Sequence, residues 1–253
     1  MAYRTQKVVE LVRSALLYPA TTAITVFFSA AGLGLTWLVL DYRAWVAFGT
    51  GGTPPTPAGY WKITKFRIRR ALSSDHLTDH TPLHTSGPTY LRKDLPRRQG
   101  PRPSIIARTL PQRQHPQPLG PEVKQRLHDL PAKYQAQYAD ILTLDRSITE
   151  GRSTDAIYAK PNLLSRHPSA KDDTLGDEIA HVHPAENSLH VWLSESDART
   201  VVAAGWGERF PLSSLSMVHN GWTFVYAPRS MEEADVVEEI VKAGIGYLTG
   251  VMV

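Results

Sequence analysis

Two histidines separated by one residue give the strongest signal for chemistry in this chain. His181 and His183 lie in Glu178–His183, a run whose alternation predicts a β-strand. Residues i and i+2 of a strand project from the same face, about 7 Å apart at the backbone, so both imidazoles can reach one ligand, one proton or one metal ion. His190 lies in Leu189–Leu193, which predicts the paired strand of a hairpin. The three histidines therefore define a candidate catalytic site.

Acidic residues flank these histidines at Glu178 and Glu186. Strict alternation places Glu178 on the strand face opposite to His181 and His183. A His-x-His pair followed by a glutamate superficially resembles the ligand run of the cupins, although the glutamate stands closer here and no second ligand motif is found. Three interpretations stay open: a base and proton carrier, a site for Fe, Mn or Zn, and histidines hydrogen-bonded inside a polar core.

A second candidate site lies in Gly205–Arg209, where two glycines allow a tight turn. Trp206 offers a flat apolar face and Arg209 a fixed cation, a combination that suits a planar, anionic, oxygen-rich substrate. The alternative is a helix C-cap with a tryptophan in the core. Arg229 comes just before a capped helix N-terminus, which is another position that favours an anion.

These candidates lie on elements that alternate between strand and helix. Ser194 is a suitable N-cap for a helix that Gly205 ends, and Ser230 begins a second helix with an apolar stripe. Between the helices, Trp222–Ala227 predicts a third strand, in which Tyr226 shares a face with other aromatic residues and lines either a pocket or the core. The order β-β-α-β-α predicts an α+β fold, a mainly antiparallel sheet with helices packed on one face.

An uncharged apolar run, residues 14–40, follows a tail of residues 1–13. About 20 apolar residues cross a bilayer core, so this run predicts a single transmembrane anchor. A cleaved secretory signal is the alternative, but the run exceeds the roughly 7–15 apolar residues of such signals. Basic residues are denser after the span, which predicts that the C-terminal domain lies in the cytosol. The endoplasmic reticulum is the membrane we expect.

The chain has a net charge of +4 and a pI near 9.3, and its basic residues concentrate between Lys62 and Arg113. Because no nucleic-acid-binding motif accompanies them, a membrane surface is the predicted partner and a nucleic acid is not. Residues 41–94 are interpreted as a linker and a basic membrane-proximal segment, in which Tyr60–Leu72 either lies along the headgroups or forms an ordinary amphipathic helix. Residues 95–253 then form the catalytic domain, although Leu142–Ile157 shows no clear pattern.

Composition and missing motifs exclude several chemistries. The chain has no cysteine, which excludes disulfides, a thiol nucleophile, iron–sulfur clusters and cysteine-bound zinc. It has no glycine-rich nucleotide loop, GxSxG elbow, HExxH or Walker motif. Three further histidines, His76, His80 and His84, lie in a polar segment with prolines and are interpreted as solvated loop residues.

Several blocks in the same order resemble the fungal luciferase family. They are Glu178–His183, Ser188–His190, Gly205–Arg209 with Pro211 and Leu212, Trp222–Arg229 and Val236–Tyr247, and, outside this core, Arg102–Ile105 and Gln112–Gln114. Together with one N-terminal span, the similarity covers most of residues 95–250 and the layout ahead of them. Matching blocks in one order are far more specific than any single motif.

The resemblance implies a membrane-anchored oxygenase, an oxidoreductase of secondary metabolism with a small aromatic or pyrone substrate. In that family O2 is joined to 3-hydroxyhispidin, a styryl-pyrone, and loss of CO2 from a cyclic peroxide leaves a light-emitting product. No metal or flavin is established for it, so the implied cofactor is none, with O2 as co-substrate. A planar enol gives electrons to O2 itself once deprotonated, which leaves the protein to supply a base, cationic stabilisation and a dry pocket.

We expect the candidate residues to divide the roles of such a reaction among them. His181 and His183 are the base and proton carrier, His190 orients them, and Arg209 and Arg229 stabilise an enolate or peroxide. The implied substrate-binding residues are Glu178, Trp206, Tyr226 and Arg229.

One departure from the family pattern is Phe210, which stands where the luminous members have histidine after Gly-Trp-Gly-x-Arg. Loss of an imidazole there points to a different substrate or to a reaction without light. Two other functions stay open. One is a non-oxidative tailoring enzyme, such as a decarboxylase, hydrolase or cyclase, and the other is a non-catalytic membrane adaptor with structural histidines.

Overall fold

The computed structural model describes residues 6–8, 10, 12–13, 17–161 and 163–253, in two compact units, Met1–Gly49 and Thr50–Val253. In the first unit, helix α1 runs from Pro19 to Phe48, and 18 of its residues have a mean hydropathy of 2.0 with none of them buried. Its 30 residues rise about 1.5 Å each, so the helix is long and apolar enough to cross a membrane. Residues 14–16 of the predicted span lie outside the described residues. The helix continues past Leu40 because no glycine or proline follows before Gly49.

Six antiparallel strands form the sheet of the second unit, in the order β1-β2-β3-β4-β6-β5. The strands are β1 Leu142–Arg146, β2 Asp155–Ala159, β3 Glu178–Val182, β4 Leu189–Trp192, β5 Gly207–Arg209 and β6 Trp222–Val225. This confirms the predicted α+β fold with a mainly antiparallel sheet. The hairpin of β1 and β2 lies in the segment where the sequence shows no clear pattern, and β5 lies in the glycine-flanked turn.

The larger helices of the second unit cover one face of the sheet, as predicted, whereas one further helix lies on the opposite face. Helix α3, Pro121–Gln137, and helix α5, Met231–Thr249, pack against β1 to β4, while α4, Glu195–Ala203, contacts β5. The predicted caps are confirmed: Ser194 Oγ accepts from the Asp197 amide at 3.1 Å, and Ser230 begins α5. Gly205 follows α4 with φ 86°, a conformation that favours glycine. The helices thus fix β3 and β4 from one side.

The opposite face of the sheet carries the histidines and is covered by helix α2, Pro57–Ala71, and by irregular chain on both sides of it. Helix α2 begins at Thr56, whose hydroxyl accepts from the Gly59 amide at 3.1 Å. It buries Ile63 and Phe66 and leaves Trp61 exposed. Tyr60–Leu72 is therefore mostly an amphipathic helix that packs into the second unit.

Candidate functional site

Strands β3 and β4 bring three histidines together. The register pairs His181 with His190, and the three ring centroids lie 5.0 to 5.3 Å apart. All three side chains are buried. One ring nitrogen of each histidine lies within 4.8 Å of the others. His181, His183 and His190 form one group, called here the histidine cluster.

A β-bulge turns Glu178 toward the cluster. The pairing of β2 with β3 slips by one residue, which leaves Ile179 as an extra residue in β3. Glu178 consequently lies on the histidine face, where its Oε1 is 2.6 Å from Nδ1 of His181. It also accepts from the hydroxyls of Ser147 and Thr149, each at 2.8 Å. The alternation argument was wrong at Glu178 because counting by two does not register a bulge.

A second carboxylate holds His183. Nδ1 of His183 lies 2.9 Å from Glu186 Oε1 and 2.7 Å from the hydroxyl of Ser188. Because His181 and His183 both direct Nδ1 at a carboxylate, their Nε2 atoms face each other at 3.2 Å. A carboxylate at Nδ1 fixes which ring nitrogen carries the proton. The turn after β3 therefore orients His183 as the bulge orients His181.

Two residues that the sequence argument missed complete the site. Glu150, in the turn between β1 and β2, places Oε1 3.5 Å from His181 Nε2 and 3.6 Å from His183 Nε2. Arg113, in the irregular chain before α3, places Nη1 3.0 Å from His183 Nε2 and bonds to Glu150 with Nη2. Arg113 falls in one of the resembling blocks, Gln112–Gln114, which is the only signal that pointed to it. Glu150 lies in a polar turn without a pattern.

Burial and ion pairing act in opposite directions on the pKa values of this site. Burial lowers the pKa of His181, but hydrogen bonds to Glu150 and Glu178 outweigh it and raise the pKa to about 9. Burial raises the pKa of Glu150, but hydrogen bonds with His181 and His183 bring it well below its ordinary value. The pKa values of Glu178 and Glu186 are lowered because their histidine partners likewise outweigh burial. All three carboxylates are therefore charged at neutral pH.

His190 has an aromatic environment instead of a carboxylate. Its ring stacks on Trp222 with centroids 5.4 Å apart, and Phe210 stands edge-on to it at 5.1 Å. Burial, together with the neighbouring histidines, holds the pKa of His190 well below its ordinary value. Its Nδ1 atom is buried and has no hydrogen-bond partner within the described part of the chain. His190 is therefore a neutral imidazole at neutral pH.

An apolar cavity lies beside the cluster. It has a volume of about 220 Å³ and is lined by Phe210 and Trp222, among other apolar residues, and by Phe66 of α2. A smaller space of about 40 Å³ shares Phe210 and Trp222 with it and is also lined by His190 and Glu150. A larger surface groove, about 380 Å³, is lined mostly by charged residues near α3 and α5 and includes no histidine. The apolar cavity is the one that can hold a planar ligand against the cluster.

The structure holds Arg209 away from the cluster. Along β5 the register pairs Glu208 with Phe224, so alternation turns Glu208 to the histidine face and Arg209 to the other. The guanidinium of Arg209 bonds to Asp75 and to two backbone carbonyls of residues 76–79, at 2.8 and 3.0 Å. Arg209 thereby fastens the loop after α2 to the edge of the sheet.

Three other candidates are engaged in the scaffold. The indole N–H of Trp206 donates to the Pro96 carbonyl at 2.6 Å, and Tyr226 donates to Glu208 at 3.3 Å. Arg229 forms an exposed ion pair with a glutamate one helical turn away. Among the described residues, none of these three lines the apolar cavity.

Two kinds of chemistry suit this arrangement. Imidazoles backed by carboxylates accept and pass on protons. Imidazole and carboxylate together are also common ligands of transition-metal ions. Both uses draw on the same atoms, Nε2 of His181 and His183 and Oε1 of Glu150.

Comparison with known proteins finds relatives of one kind. A family model described as "Luciferase domain" matches residues 176–244. A luciferase from Armillaria mellea is 39% identical over 233 residues, which are 87% of this chain and 85% of that protein, and one from Armillaria ostoyae is 33% identical over the same shares. A luciferase from Neonothopanus nambi is 38% identical over 165 residues, 62% of this chain and 61% of that protein. No solved structure matches the chain.

Proposed function

Since the chain belongs to the fungal luciferase family, we propose that it is a membrane-anchored oxygenase that adds O2 to a planar enolic substrate at the histidine cluster. The family supports an oxygen-using enzyme with a small-molecule substrate. The observation that carries the proposal is the buried, carboxylate-backed histidine cluster beside an apolar cavity.

The cluster has the parts that oxygen addition needs. His183 accepts the enol proton while His181, protonated at neutral pH, is the proton carrier. The resulting enolate carbon gives its electron pair to O2, so that a C–O bond forms and the outer oxygen becomes a peroxide anion. Arg113 can stabilise the negative charge of the peroxide, because its Nη1 lies 3.0 Å from Nε2 of His183. Ring closure of the peroxide onto a neighbouring carbonyl and loss of CO2 would follow for a 3-hydroxyhispidin-type pyrone.

The cavity favours a small, flat substrate. Phe210 and Trp222 supply aromatic walls, and Phe66 of α2 lies on another side. Pockets for drug-sized ligands span roughly 300–1,000 Å³. A cavity of about 220 Å³ therefore suits a compact phenolic, polyketide or pyrone molecule. Phe210 sets the polarity at the wall nearest to His190.

Helix α1 supports a single-pass membrane anchor. The proposed location is the endoplasmic reticulum membrane, and the denser basic residues after the span favour the second unit in the cytosol. Protease treatment of sealed microsomes tests this orientation with an epitope at Val253. Digestion of the epitope without detergent is expected, and full protection would place the second unit in the lumen.

Oxygen uptake tests the reaction itself. The full chain, purified in detergent micelles, is given 3-hydroxyhispidin and related pyrones in an oxygen electrode, and the products are identified by mass spectrometry. The double variant His181→Ala, His183→Ala is expected to lose uptake, whereas His115→Ala, an exposed histidine in the same unit, retains it. Unchanged uptake in the double variant would contradict the site assignment. Turnover under nitrogen would favour the non-oxidative tailoring enzyme.

A further inference from the structure

Three potential ligand atoms face one another inside the histidine cluster. Nε2 of His181 lies 3.2 Å from Nε2 of His183, and Oε1 of Glu150 lies 3.5 and 3.6 Å from these nitrogens. Atoms bound tetrahedrally at about 2.1 Å from an ion are about 3.4 Å apart. We infer that these three atoms hold one divalent transition-metal ion.

The ligand types narrow the class of ion. Two imidazoles and one carboxylate on one side of an ion are the ligand set of non-haem iron(II) oxygenases, in which the remaining positions stay open. Cobalt(II) and zinc(II) accept the same nitrogen and oxygen donors. Iron(II) is the ion that we expect if the proposed function is correct, so the identity of the ion rests on that function. The metal site itself rests on the geometry of His181, His183 and Glu150 alone.

The shell around the ligands is built for this role. Metal-bound histidines usually give their second ring N–H to a carboxylate, which fixes the ring and makes the bound nitrogen a better donor. His181 has Glu178 at Nδ1, at 2.6 Å, and His183 has Glu186 at Nδ1, at 2.9 Å. In both histidines Nδ1 is therefore occupied by the carboxylate, and Nε2 is the atom that can bind the ion. A single catalytic histidine would need only one carboxylate at its Nδ1. Here both His181 and His183 have one, which is typical of a pair of metal ligands.

The buried charges of the site suit a bound cation. The carboxylates of Glu150, Glu178 and Glu186 are buried, and Arg113 lies within hydrogen-bond distance of Glu150. Arg113 and a protonated His181 do not offset all three carboxylates, and net charge in a low-dielectric interior is costly unless it is balanced. A divalent ion would replace the proton on His181 and balance the remaining charge.

Two buried polar atoms next to the ligands also lack partners. Nδ1 of His190 and Oε2 of Glu186 are both without a hydrogen bond within the described residues. The His190 ring centroid lies 5.3 Å from that of His181 and 5.0 Å from that of His183. Buried polar groups without partners are uncommon in folded proteins. Water or substrate bound to the ion would supply a partner for His190, whereas Oε2 of Glu186 belongs to the carboxylate on the opposite, Nδ1 side of His183.

Arg113 competes with the ion for one ligand atom. Its Nη1 lies 3.0 Å from Nε2 of His183, so this nitrogen meets either the guanidinium or the ion. Arg113 keeps its other contact, to Oε2 of Glu150, when Oε1 binds the ion. With the ion bound, His181 and His183 would serve as its ligands and would not accept the proton themselves. The ion would make a bound enol more acidic, and hydroxide on the ion would take up the enol proton.

The metal content of the purified protein tests this inference directly. The full chain, carrying a tag without histidine, is purified in detergent micelles without chelators and analysed by plasma mass spectrometry. Chelator-stripped protein is then titrated with Co²⁺, whose visible d–d absorption reports nitrogen and oxygen ligands. We expect about one ion per chain and, at about 100 times the Kd, a rise in Tm of roughly 5–10 °C.

Matched variants locate the ion. His181→Ala, His183→Ala and Glu150→Gln are expected to lose the Co²⁺ spectrum and the shift in Tm, whereas His115→Ala keeps both. Glu150→Gln preserves the shape of the side chain, so it keeps the comparison valid if a histidine variant does not fold. A wild type that takes up no ion, or an ion that persists in Glu150→Gln and His181→Ala, would overturn the site.

Activity in the same samples separates this inference from the proposed function. A bound ion without oxygen uptake would contradict the oxygenase and support the metal site. Undiminished oxygen uptake in stripped protein that no longer contains the ion would contradict the role of the ion and leave the oxygenase standing.

Discussion

Phe210 stands edge-on to His190, with the two ring centroids 5.1 Å apart and the rings at 84° to each other. This contact closes the apolar cavity against the histidine cluster, at the residue that the sequence comparison predicts to depart from the family pattern. An apolar ring at this place offers no hydrogen bond to a hydroxylated substrate. We therefore expect the identity of residue 210 to influence substrate choice.

Phe210→His is expected to raise kcat/KM for 3-hydroxyhispidin by about 5-fold, the effect of one hydrogen bond of roughly 1 kcal/mol. Oxygen uptake and light emission measure the change. Phe210→Leu is the control, because it changes the shape of the wall without adding a polar group. An equal gain in Phe210→Leu would show that space rather than hydrogen bonding governs the position.

Glu178→Gln is expected to lower kcat for oxygen uptake roughly 10–100-fold with little change in KM, because it weakens the contact that orients His181. The side chain does not line the cavity within the described residues, so substrate binding is unaffected. Steady-state kinetics separate the two constants. Glu122→Gln, an exposed substitution at the start of α3, is the control. A change confined to KM would argue against a positioning role.

Gly244→Ala tests how closely α5 packs on the sheet. A Cβ atom there would lie 2.8 Å from Val191 Cγ1 and 3.0 Å from the backbone oxygen of Trp192, so β4 or α5 must move. We expect a loss of about 1–3 kcal/mol in the free energy of unfolding. Thermal unfolding followed by circular dichroism measures it. Gly120→Ala, whose Cβ would make only ordinary contacts, should change the stability far less.

Glu238 provides a pH-dependent contribution to stability away from the site. Burial raises its pKa, but bonds from Lys133, Tyr134 and Arg126 outweigh burial and lower it to about 2. Because the folded-state pKa is the lower one, the stabilisation is complete above the ordinary value of 4.5 and is lost as the pH falls toward 2. Glu238→Gln should therefore cost about 2 kcal/mol at neutral pH.

Denaturant titrations at several pH values measure this difference for Glu238. The stabilities of wild type and Glu238→Gln are expected to converge between a pH of about 4.5 and 2. If the difference in the free energy of unfolding between wild type and Glu238→Gln stayed constant across that range, the charge on Glu238 would not be the source of the stabilisation.

Local patterns in the sequence predicted the centre of the site but not its surroundings. Alternation in β3 and β4 was sufficient to bring His181, His183 and His190 together, since both strands are regular at these positions. The caps at Ser194 and Ser230 follow from one or two residues and were equally accessible. These features depend on neighbours within a few positions of the chain.

Features that depend on distant parts of the chain escaped prediction. Arg113 and Glu150 lie 70 and 33 positions before His183, and no local pattern marks either one as a neighbour. Arg209 was predicted as a catalytic residue because it lies in a glycine-containing turn and in a resembling block. In the structure it is part of a three-residue strand, whose alternation places Glu208 on the histidine face and Arg209 on the other. The β1–β2 hairpin was unmarked because most of β1 is exposed and its residues do not alternate clearly.

The extra residue in β3 makes the candidate site depend on irregular strand pairing as well as on side-chain identity. Glu178 precedes His181 by three residues, so regular pairing of β2 with β3 at unchanged chain length would turn Glu178 to the face covered by α5. Every functional side chain would still be encoded, but the carboxylate behind His181 would be gone. A design that transfers these residues to a regular strand therefore loses the arrangement, because the bulge has to be transferred with them.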